Sequence, residues 1–484
     1  MKNRAVLFIN PNVPEASSSC PPMGVLFLAA YARERFPLYS FQLFDWTANR
    51  LSVESQQALL RDIKPGIVGI STFTDYLQPE LDLARLVKET LPDCIVIFGG
   101  PHVSARPNDS YPNVDCVVAG EGESAFAELL ALYEKGTDLP KVYFNENYLE
   151  DINFPPAWDL VQDWTKYKPT GFFFGIHQQG WIMASRGCPY NCVFCAGGVF
   201  RRSRPRQRFR DPANILQEVR VHQSLHPTRA LFFVDDEFNT NVDWAKEICN
   251  RLTAEQVNLP WATSMRTTEK LFDEALLDVA KRANCRAIAM GLESGNDEVL
   301  KCIQKGTTVA YNLRALKLLK KYGIMAHGNF IIGLAWYGKD GQPDGERLEQ
   351  VLDTLKFIKD ATRQGLLSSV SISIATPYPG SELGRLADDF RLNYVNDTLN
   401  LGVDAVNRQM TLFKHPHLRP EQIQECYQTA WESVIYNVPM LVKRFINISR
   451  PAELIDNLKL GLFLGQKLFK GKKNLRNIDK LLNK

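Results

Sequence analysis

Three cysteines stand within eight residues, Cys188, Cys192 and Cys195, in the segment Ser185-Arg-Gly-Cys-Pro-Tyr-Asn-Cys-Val-Phe-Cys. Thiolate is the usual protein ligand of iron–sulfur clusters, and three thiolates spaced C-x₃-C-x₂-C on one loop can wrap a corner of a cubane. Three ligands leave one of four irons open to a small molecule that chelates it. Two other readings are weaker. A zinc site needs a fourth ligand from a distant segment. Cysteine is often buried as a small hydrophobe, but a Gly-Cys-Pro loop is a poor setting for three of them. The other seven cysteines are scattered, and ten in 484 residues is not a disulfide density.

The elements that must position this loop alternate in type. Apolar runs at Trp181–Ser185, Leu231–Val234, Trp261–Met265, Ala287–Leu292, Gly328–Leu334 and Val370–Ala375 are separated by helical patterns. These include Asp211–His222, Asp243–Gln256, Glu269–Arg282, Val309–Tyr322 and Glu346–Thr362. Alternation of this kind means βαβ units and a parallel sheet. Six such units are fewer than a closed barrel's eight, so an open, partial (β/α)6 barrel is expected. Its strand ends carry Asp235-Asp236-Glu237, Ser264-Met265-Arg266, Gly291-Leu-Glu293-Ser294-Gly295, Gly328-Asn-Phe-Ile-Ile-Gly333 and Ala375-Thr-Pro-Tyr378-Pro-Gly380.

The cysteine spacing, with Phe194 before the last cysteine and these strand ends following in order, resembles the radical S-adenosylmethionine (SAM) superfamily. The resemblance implies a [4Fe–4S] cluster on Cys188, Cys192 and Cys195. It implies SAM chelating the open iron, cleaved by one electron to methionine and a 5′-deoxyadenosyl radical. It further implies SAM contacts at Asp236 and Glu237, at Arg266 for the carboxylate, at Glu293 and Ser294 for the ribose, and at Gly333 behind the adenine. An external one-electron donor such as flavodoxin or ferredoxin is implied as a partner. One departure is visible: relatives often carry Gly-x-Pro-Gly-Glu-Thr after the fifth strand, and here the run is Gly333-Leu-Ala-Trp-Tyr-Gly-Lys-Asp.

The first 135 residues form a second βα series, with apolar runs at Ala5–Ile9, Phe41–Phe44, Ile67–Ile70, Ile95–Phe98 and Cys116–Val118. Five strands fit one open, doubly wound domain, whose ligands sit outside the carboxyl ends of the strands. Those ends carry Asn10-Pro11, Asp45-Trp46, Ser71-Thr72, Gly99-Gly100-Pro101-His102 and Gly120-Glu121-Gly122-Glu123. Such a domain before a radical SAM barrel resembles the cobalamin-binding subclass, and the resemblance covers residues 1–385. It implies cobalamin contacts at Ser71, Thr72, Gly99, Gly100, Gly120 and Glu121. Gly99 and Gly100 would let the backbone approach a bulky nucleotide tail. Many cobalamin folds carry Asp-x-His-x-x-Gly, whose histidine ligates cobalt. Here the stretch read as equivalent is Asp45-Trp-Thr47-Ala-Asn-Arg50, with Thr47 in the histidine's place. His102 reads as a tail or loop contact.

We expect four regions: a cobalamin-binding domain (1–140), a linker (141–178), a radical SAM domain (179–385) and a helical C-terminal region (386–484). Lys and Arg total 57 against 54 acidic residues, a net charge of +3. That is too balanced to argue for nucleic acid as a partner. The N-terminal apolar run is too short for a signal peptide and no window reaches a membrane span, so a cytoplasmic protein is expected. Residues 443–484 hold eleven Lys/Arg against three acidic residues, a local charge of +8. With Leu454, Leu458, Leu462, Leu464, Leu468 and Phe469 at roughly helical spacing, they could lie on an anionic membrane or pack on the barrel. The expected activity is methyl transfer to an unactivated carbon of a small-molecule or lipid substrate. The alternative is other radical chemistry on the same scaffold, such as tetrapyrrole ring formation or oxidation.

Overall fold

The structure is a computed structural model that describes residues 3–11, 20–167, 178–201, 207–392 and 413–435. The basic segment 443–484 lies outside the described residues.

The first sheet contains β1 (Ala5–Asn10), β2 (Ser40–Asp45), β3 (Ile67–Ser71), β4 (Ile95–Gly99), β5 (Cys116–Ala119) and β6 (Val142–Phe144). All pairs are parallel, in the order β2-β1-β3-β4-β5-β6. The chain turns from one side of β1 to the other, so the switch point lies between β1 and β3, where open α/β sheets bind ligands. Five strands were read from the sequence. The sixth, β6, falls in the stretch expected as linker, because three residues with little burial carry no periodic signal. The central strands are buried on both faces, as a parallel sheet covered by helices requires: β3 reads Ile-Val-Gly-Ile-Ser with only Ser71 partly open.

The rest of the linker is cement between the two domains. Ala157 N donates to Leu26 O (3.0 Å), and Arg33 pairs with Asp159 (2.8 Å). Trp158 Nε1 donates to Glu218 Oε1 (2.9 Å). Trp164 stacks on His226 with ring centres 4.0 Å apart.

The second sheet is built from β7 (Gln179–Ile182), then, after the short hairpin of β8 (Ser185–Arg186) and β9 (Arg208–Phe209), from β10 (Ala230–Phe233), β11 (Trp261–Ser264), β12 (Cys285–Glu293) and β13 (Met325–Ile332). A second hairpin, β14 (Ala335–Tyr337) with β15 (Pro343–Gly345), precedes the last strand, β16 (Ser369–Ile374). The order β16-β13-β12-β11-β10-β7 is parallel throughout. Helices cover its outer face around a core that includes Trp261, Ile288, Met290, Phe330 and Ile372. Ala230, Ala262 and Ala287 form a separate small buried cluster with Phe232 and Met325. Helix starts follow their caps: Asp211 accepts from Ala213 N ahead of Pro212. Asp273 accepts from Leu276 N, which starts that helix at Glu274 rather than at the expected Glu269. Helix Pro420–Ile435 packs on the barrel. Phe413 is fully buried in a core with Val193 and Trp336. Among the described residues no helix is long and apolar enough to cross a membrane.

Candidate functional site

The cysteine loop leaves β8 through Gly187, whose φ of +85° favours glycine. Backbone bonds on both sides hold the loop: Val193 N donates to Ile303 O (3.1 Å), and Leu383 N donates to Val193 O (2.9 Å). Cys192 is buried, and Cys188 and Cys195 are partly open. The Cys192 sulfur lies 3.9 Å from both terminal nitrogens of Arg266, and Gly197 N donates to Cys195 Sγ (3.3 Å). Burial first, then Glu237 and Asp236, push the Cys188 thiol up to about 11. Metal ligation deprotonates such a thiol outright. Among the described residues no three His, Cys, Asp or Glu side chains converge to hold a single ion. A cubane whose three cysteines bind three different irons does not require such convergence. The donor set and its cationic neighbour therefore fit the cluster.

Three residues expected from separate strand ends come together beside this loop. Arg266 lies over the Tyr190 ring, its guanidinium carbon 3.5 Å from the centroid, and pairs with Glu237 at 3.8 Å. Glu293 ends β12 at φ +59° and pairs with Lys305 at 2.9 Å. All four side chains are nearly closed to solvent. Gly291 leaves room for the second pair: a Cβ there would stand 2.3 Å from Glu293 Oε1 and 2.5 Å from Lys305 Nζ. Burial raises the Glu237 carboxyl, against Lys305 and Arg266. Burial also works against the Lys305 charge, yet Glu293 and Glu237 hold its ammonium above the usual range. Lys305 was not anticipated; it follows a short helix in Gln304-Lys-Gly-Thr, where no spacing marks it.

The other SAM-side residues are placed differently. Asp236 is exposed at the end of β10, while its neighbour Asp235 is buried and fastens β10 to β8 by accepting from Ser185 Oγ (2.6 Å). Ser294 is fully buried, its hydroxyl 3.0 Å from Thr354 Oγ1, so it belongs to the barrel wall. Gly333 has φ +79°. Its N–H and that of Leu334 donate to one oxygen of buried Glu346, at 2.7 and 2.9 Å. The departure after the fifth strand is thus the β14–β15 hairpin, which carries the chain out and returns Glu346 to the strand end.

On the first sheet, Ser71 pairs with Gly99 across β3 and β4, so Ser71, Thr72, Gly99 and Gly100 form one row. Thr72 is fully buried: its hydroxyl donates to Gly99 O (2.8 Å) and accepts from Val103 N (3.3 Å). It braces the row from beneath. Gly100 has φ +97°, and a Cβ there would stand 2.8–2.9 Å from Ser71 Oγ and the Thr72 backbone. A Cβ on Gly99 would meet nothing within 4 Å. Gly120 has φ +109°. This cradle at the switch-point edge fits a bulky tail laid against backbone. Glu121 is engaged by Arg208 of β9, and Glu123 by Arg186 of β8 at 2.6 Å. Thr47 donates to Pro11 O (2.5 Å) and is buried. His102 is 1% exposed, with Nδ1 3.0 Å from Thr74 Oγ1. Burial and Arg106 lower its pKa to about 4, so the ring is neutral.

The two edges face each other. Besides the two arginine pairs on the β8–β9 hairpin, Tyr378 OH donates to Asp75 Oδ2 (3.1 Å), and Arg106 pairs with Asp388. The turn Ala196–Arg201, leaving Cys195, packs on the helix Pro101–Ala105, which begins after Gly100.

Comparison with known proteins agrees with this layout. Residues 182–335 match the radical SAM superfamily model, and residues 10–130 match the B12 binding domain model. An uncharacterized methyltransferase of Pyrococcus horikoshii is 29% identical over 468 residues, 92% of this chain and 95% of that one. The anaerobic magnesium-protoporphyrin IX monomethyl ester cyclase of Rubrivivax gelatinosus is 27% identical, over 78% of this chain and 69% of that one. The solved structure of the radical S-adenosylmethionine methyltransferase TsrM from Kitasatospora setae, with cobalamin and a [4Fe-4S] cluster bound, superposes with a TM-score of 0.65. That match is 17% identical and covers 89% of this chain and 91% of the other.

Proposed function

The chain belongs to the cobalamin-dependent radical SAM enzymes, a B12-binding domain preceding a radical SAM domain, and on that premise we propose that it methylates an unactivated carbon of a biosynthetic intermediate. The observation that carries this reading is the apposition of two strand edges. One is the glycine cradle of the first sheet; the other is the cysteine loop with its buried charges. The methyltransferase relative of nearly equal length supports the same reading.

In this reading the chain's own groups have separate tasks. Cys188, Cys192 and Cys195 would hold the cluster, beside the buried charges of Arg266, Lys305, Glu237 and Glu293. Arg266 supplies a fixed, dry cation for the SAM carboxylate, already stacked on Tyr190 and so preorganised. Glu293, held by Lys305, offers an oxygen to the ribose hydroxyls. Gly333, shaped by Glu346, gives a wall without a side chain behind the adenine. Ser71, Gly99, Gly100 and Gly120 take the corrinoid tail, with Thr72 bracing them. When bound, the cluster and SAM supply a hydrogen-abstracting radical and cobalamin supplies the methyl group. The electron is assigned to an external donor of the flavodoxin or ferredoxin class. Ring formation or oxidation is the second reading, favoured by the cyclase relative.

The test is to reconstitute the protein with iron, sulfide and cobalamin and incubate it with SAM and a reductant. 5′-Deoxyadenosine is the expected product, and deuterium from methyl-labelled SAM should reach cobalamin. Absence of 5′-deoxyadenosine from cluster-loaded protein would overturn the radical chemistry. Lipid and metabolite profiling of a deletion strain then separates the two readings. An accumulated species lighter by one methyl supports methyl transfer; one differing by ring closure or oxidation state supports the second.

A further inference from the structure

We propose that Lys305 and Glu293, the two halves of one buried ion pair, act in opposite senses on the reduction potential of the cluster held by the cysteine loop, Lys305 raising it and Glu293 lowering it. The inference rests on the cluster assignment above and adds to it a residue that no spacing marked.

The segment Ile303–Gly306 runs alongside the cysteine loop. Val193 N donates to Ile303 O at 3.1 Å, and the Cys192 sulfur lies 3.9 Å from Gln304 O. The next residue is Lys305. Its side chain is 5% exposed and its ammonium is 2.9 Å from Glu293 Oε1. Cys192 and Glu237 are among the charges that act on it. Gly306, at φ +67°, turns the chain beneath Arg266, whose Nη2 is 3.6 Å from where a Cβ would stand. One buried cation, Arg266, thus lies against the buried cysteine, and a second, Lys305, follows the residue whose carbonyl touches its sulfur; each is paired with one carboxylate. Water cannot screen charges in such a place, so each acts on its neighbours far more strongly than at a surface. Charge and hydrogen bonding near the sulfurs are established determinants of cluster potential.

Reduction adds one electron to the cluster, taking it from the 2+ to the 1+ state; the electron comes from a low-potential reductant, dithionite in the assay. A positive charge nearby favours the added electron and a negative charge opposes it. The pair is neutral as a unit, so removing each half should act in opposite directions. Lys305→Met leaves Glu293 uncompensated and should lower the potential. Glu293→Gln leaves Lys305 uncompensated and should raise it. The double variant should fall between the two, near the wild type.

The experiment is a redox titration of anaerobically reconstituted protein without SAM, followed by electron paramagnetic resonance of the reduced cluster. Opposite shifts in the single variants, with Lys305→Arg close to wild type, support the proposal. A purely structural role would not move the two variants in opposite directions. Equal or absent shifts in variants that hold a full cluster overturn the proposal and leave the cluster assignment standing. Wild-type protein that takes up no cluster overturns the assignment itself. Where Lys305→Met folds poorly, the signs for Glu293→Gln and the double variant still decide the matter.

Discussion

Adjacent glycines at the end of β4 should respond to the same substitution in opposite ways. At Gly99 an alanine Cβ meets no protein atom within 4 Å, and the residue ends a regular strand. Gly99→Ala should leave the folded protein intact and stabilise it by about 0.4–1 kcal/mol through the unfolded chain. If the corrinoid tail lies against this backbone, the same methyl group overlaps the ligand. Overlap of one methyl in a packed site costs about 1–3 kcal/mol, or about 5- to 140-fold in affinity at 1.4 kcal/mol per decade. At Gly100 the backbone is at φ +97° and the Cβ would press on Ser71 and Thr72 at 2.8–2.9 Å. Thr72 is bonded on both sides and cannot yield. Strain and overlap together should destabilise Gly100→Ala by about 2–6 kcal/mol. The assay is equilibrium binding of hydroxocobalamin by its visible spectrum, paired with thermal melting of the cobalamin-free proteins. Gly99→Ala that melts like wild type but binds weakly is the expected outcome. Binding within twofold of wild type would show that the tail does not lie on Gly99 and refute the cradle.

Cys192→Ala should lose the visible absorption of the reconstituted cluster and all 5′-deoxyadenosine formation, whereas Cys249→Ala, buried on the outer core, should keep both; iron retained in full by Cys192→Ala would contradict the assignment. Because Thr47 is turned toward Pro11 and His102 is 1% exposed, cob(II)alamin bound to the protein should show no nitrogen superhyperfine splitting from a histidine. Burial lowers His222 to about 3 and His226 to about 4, so both are neutral in the fold and protonate more readily when unfolded. Stability is therefore full above about pH 6.5 and falls as pH drops toward 4, by up to roughly 1.4 kcal/mol per pH unit for each ring. A His222→Gln/His226→Gln variant should flatten that slope in denaturant titrations, and an unchanged slope would contradict the burial argument. For the basic segment 443–484, co-flotation with phosphatidylglycerol vesicles that is lost in high salt would support membrane contact, and no flotation at low salt would reject it.

What was legible from sequence is what local chemistry dictates. Cysteine spacing, helix caps such as Asp211 and the alternation of apolar runs are properties of neighbouring residues, and the strands and helices follow them closely. What was not legible depends on direction. Ser71 and Thr72 are adjacent and chemically alike, yet one lines the edge and the other is buried beneath it, because successive strand residues point to opposite faces and the end of the strand decides which is which. Ser294 and Glu293 divide in the same way, one into the wall and one toward Lys305. Lys305 itself lies twelve residues beyond Glu293, and only the return of the chain past the cysteine loop brings them together. The β14–β15 hairpin was marked as a departure, but a three-residue strand pair carries too little pattern to be recognised.

Glu121 and Glu123 show how the two domains share their chemistry. Glu121 was expected to face the corrinoid, and instead it and Glu123 reach across to Arg208 and Arg186, on the hairpin that begins the cysteine loop. Buried ion pairs add little net stability, since the loss of solvation nearly offsets the attraction, but breaking one by removing a single partner costs about 3–5 kcal/mol. Their contribution here is therefore positional. Two bonded pairs fix the hairpin on the start of the helix Gly122–Lys135 that follows β5, the Ala196–Arg201 turn rests on Pro101–Ala105, and Tyr378 closes the opposite side on Asp75. A chemistry that draws on groups held by two separate domains needs its edges in register before any ligand arrives, and these contacts supply that register from the protein alone.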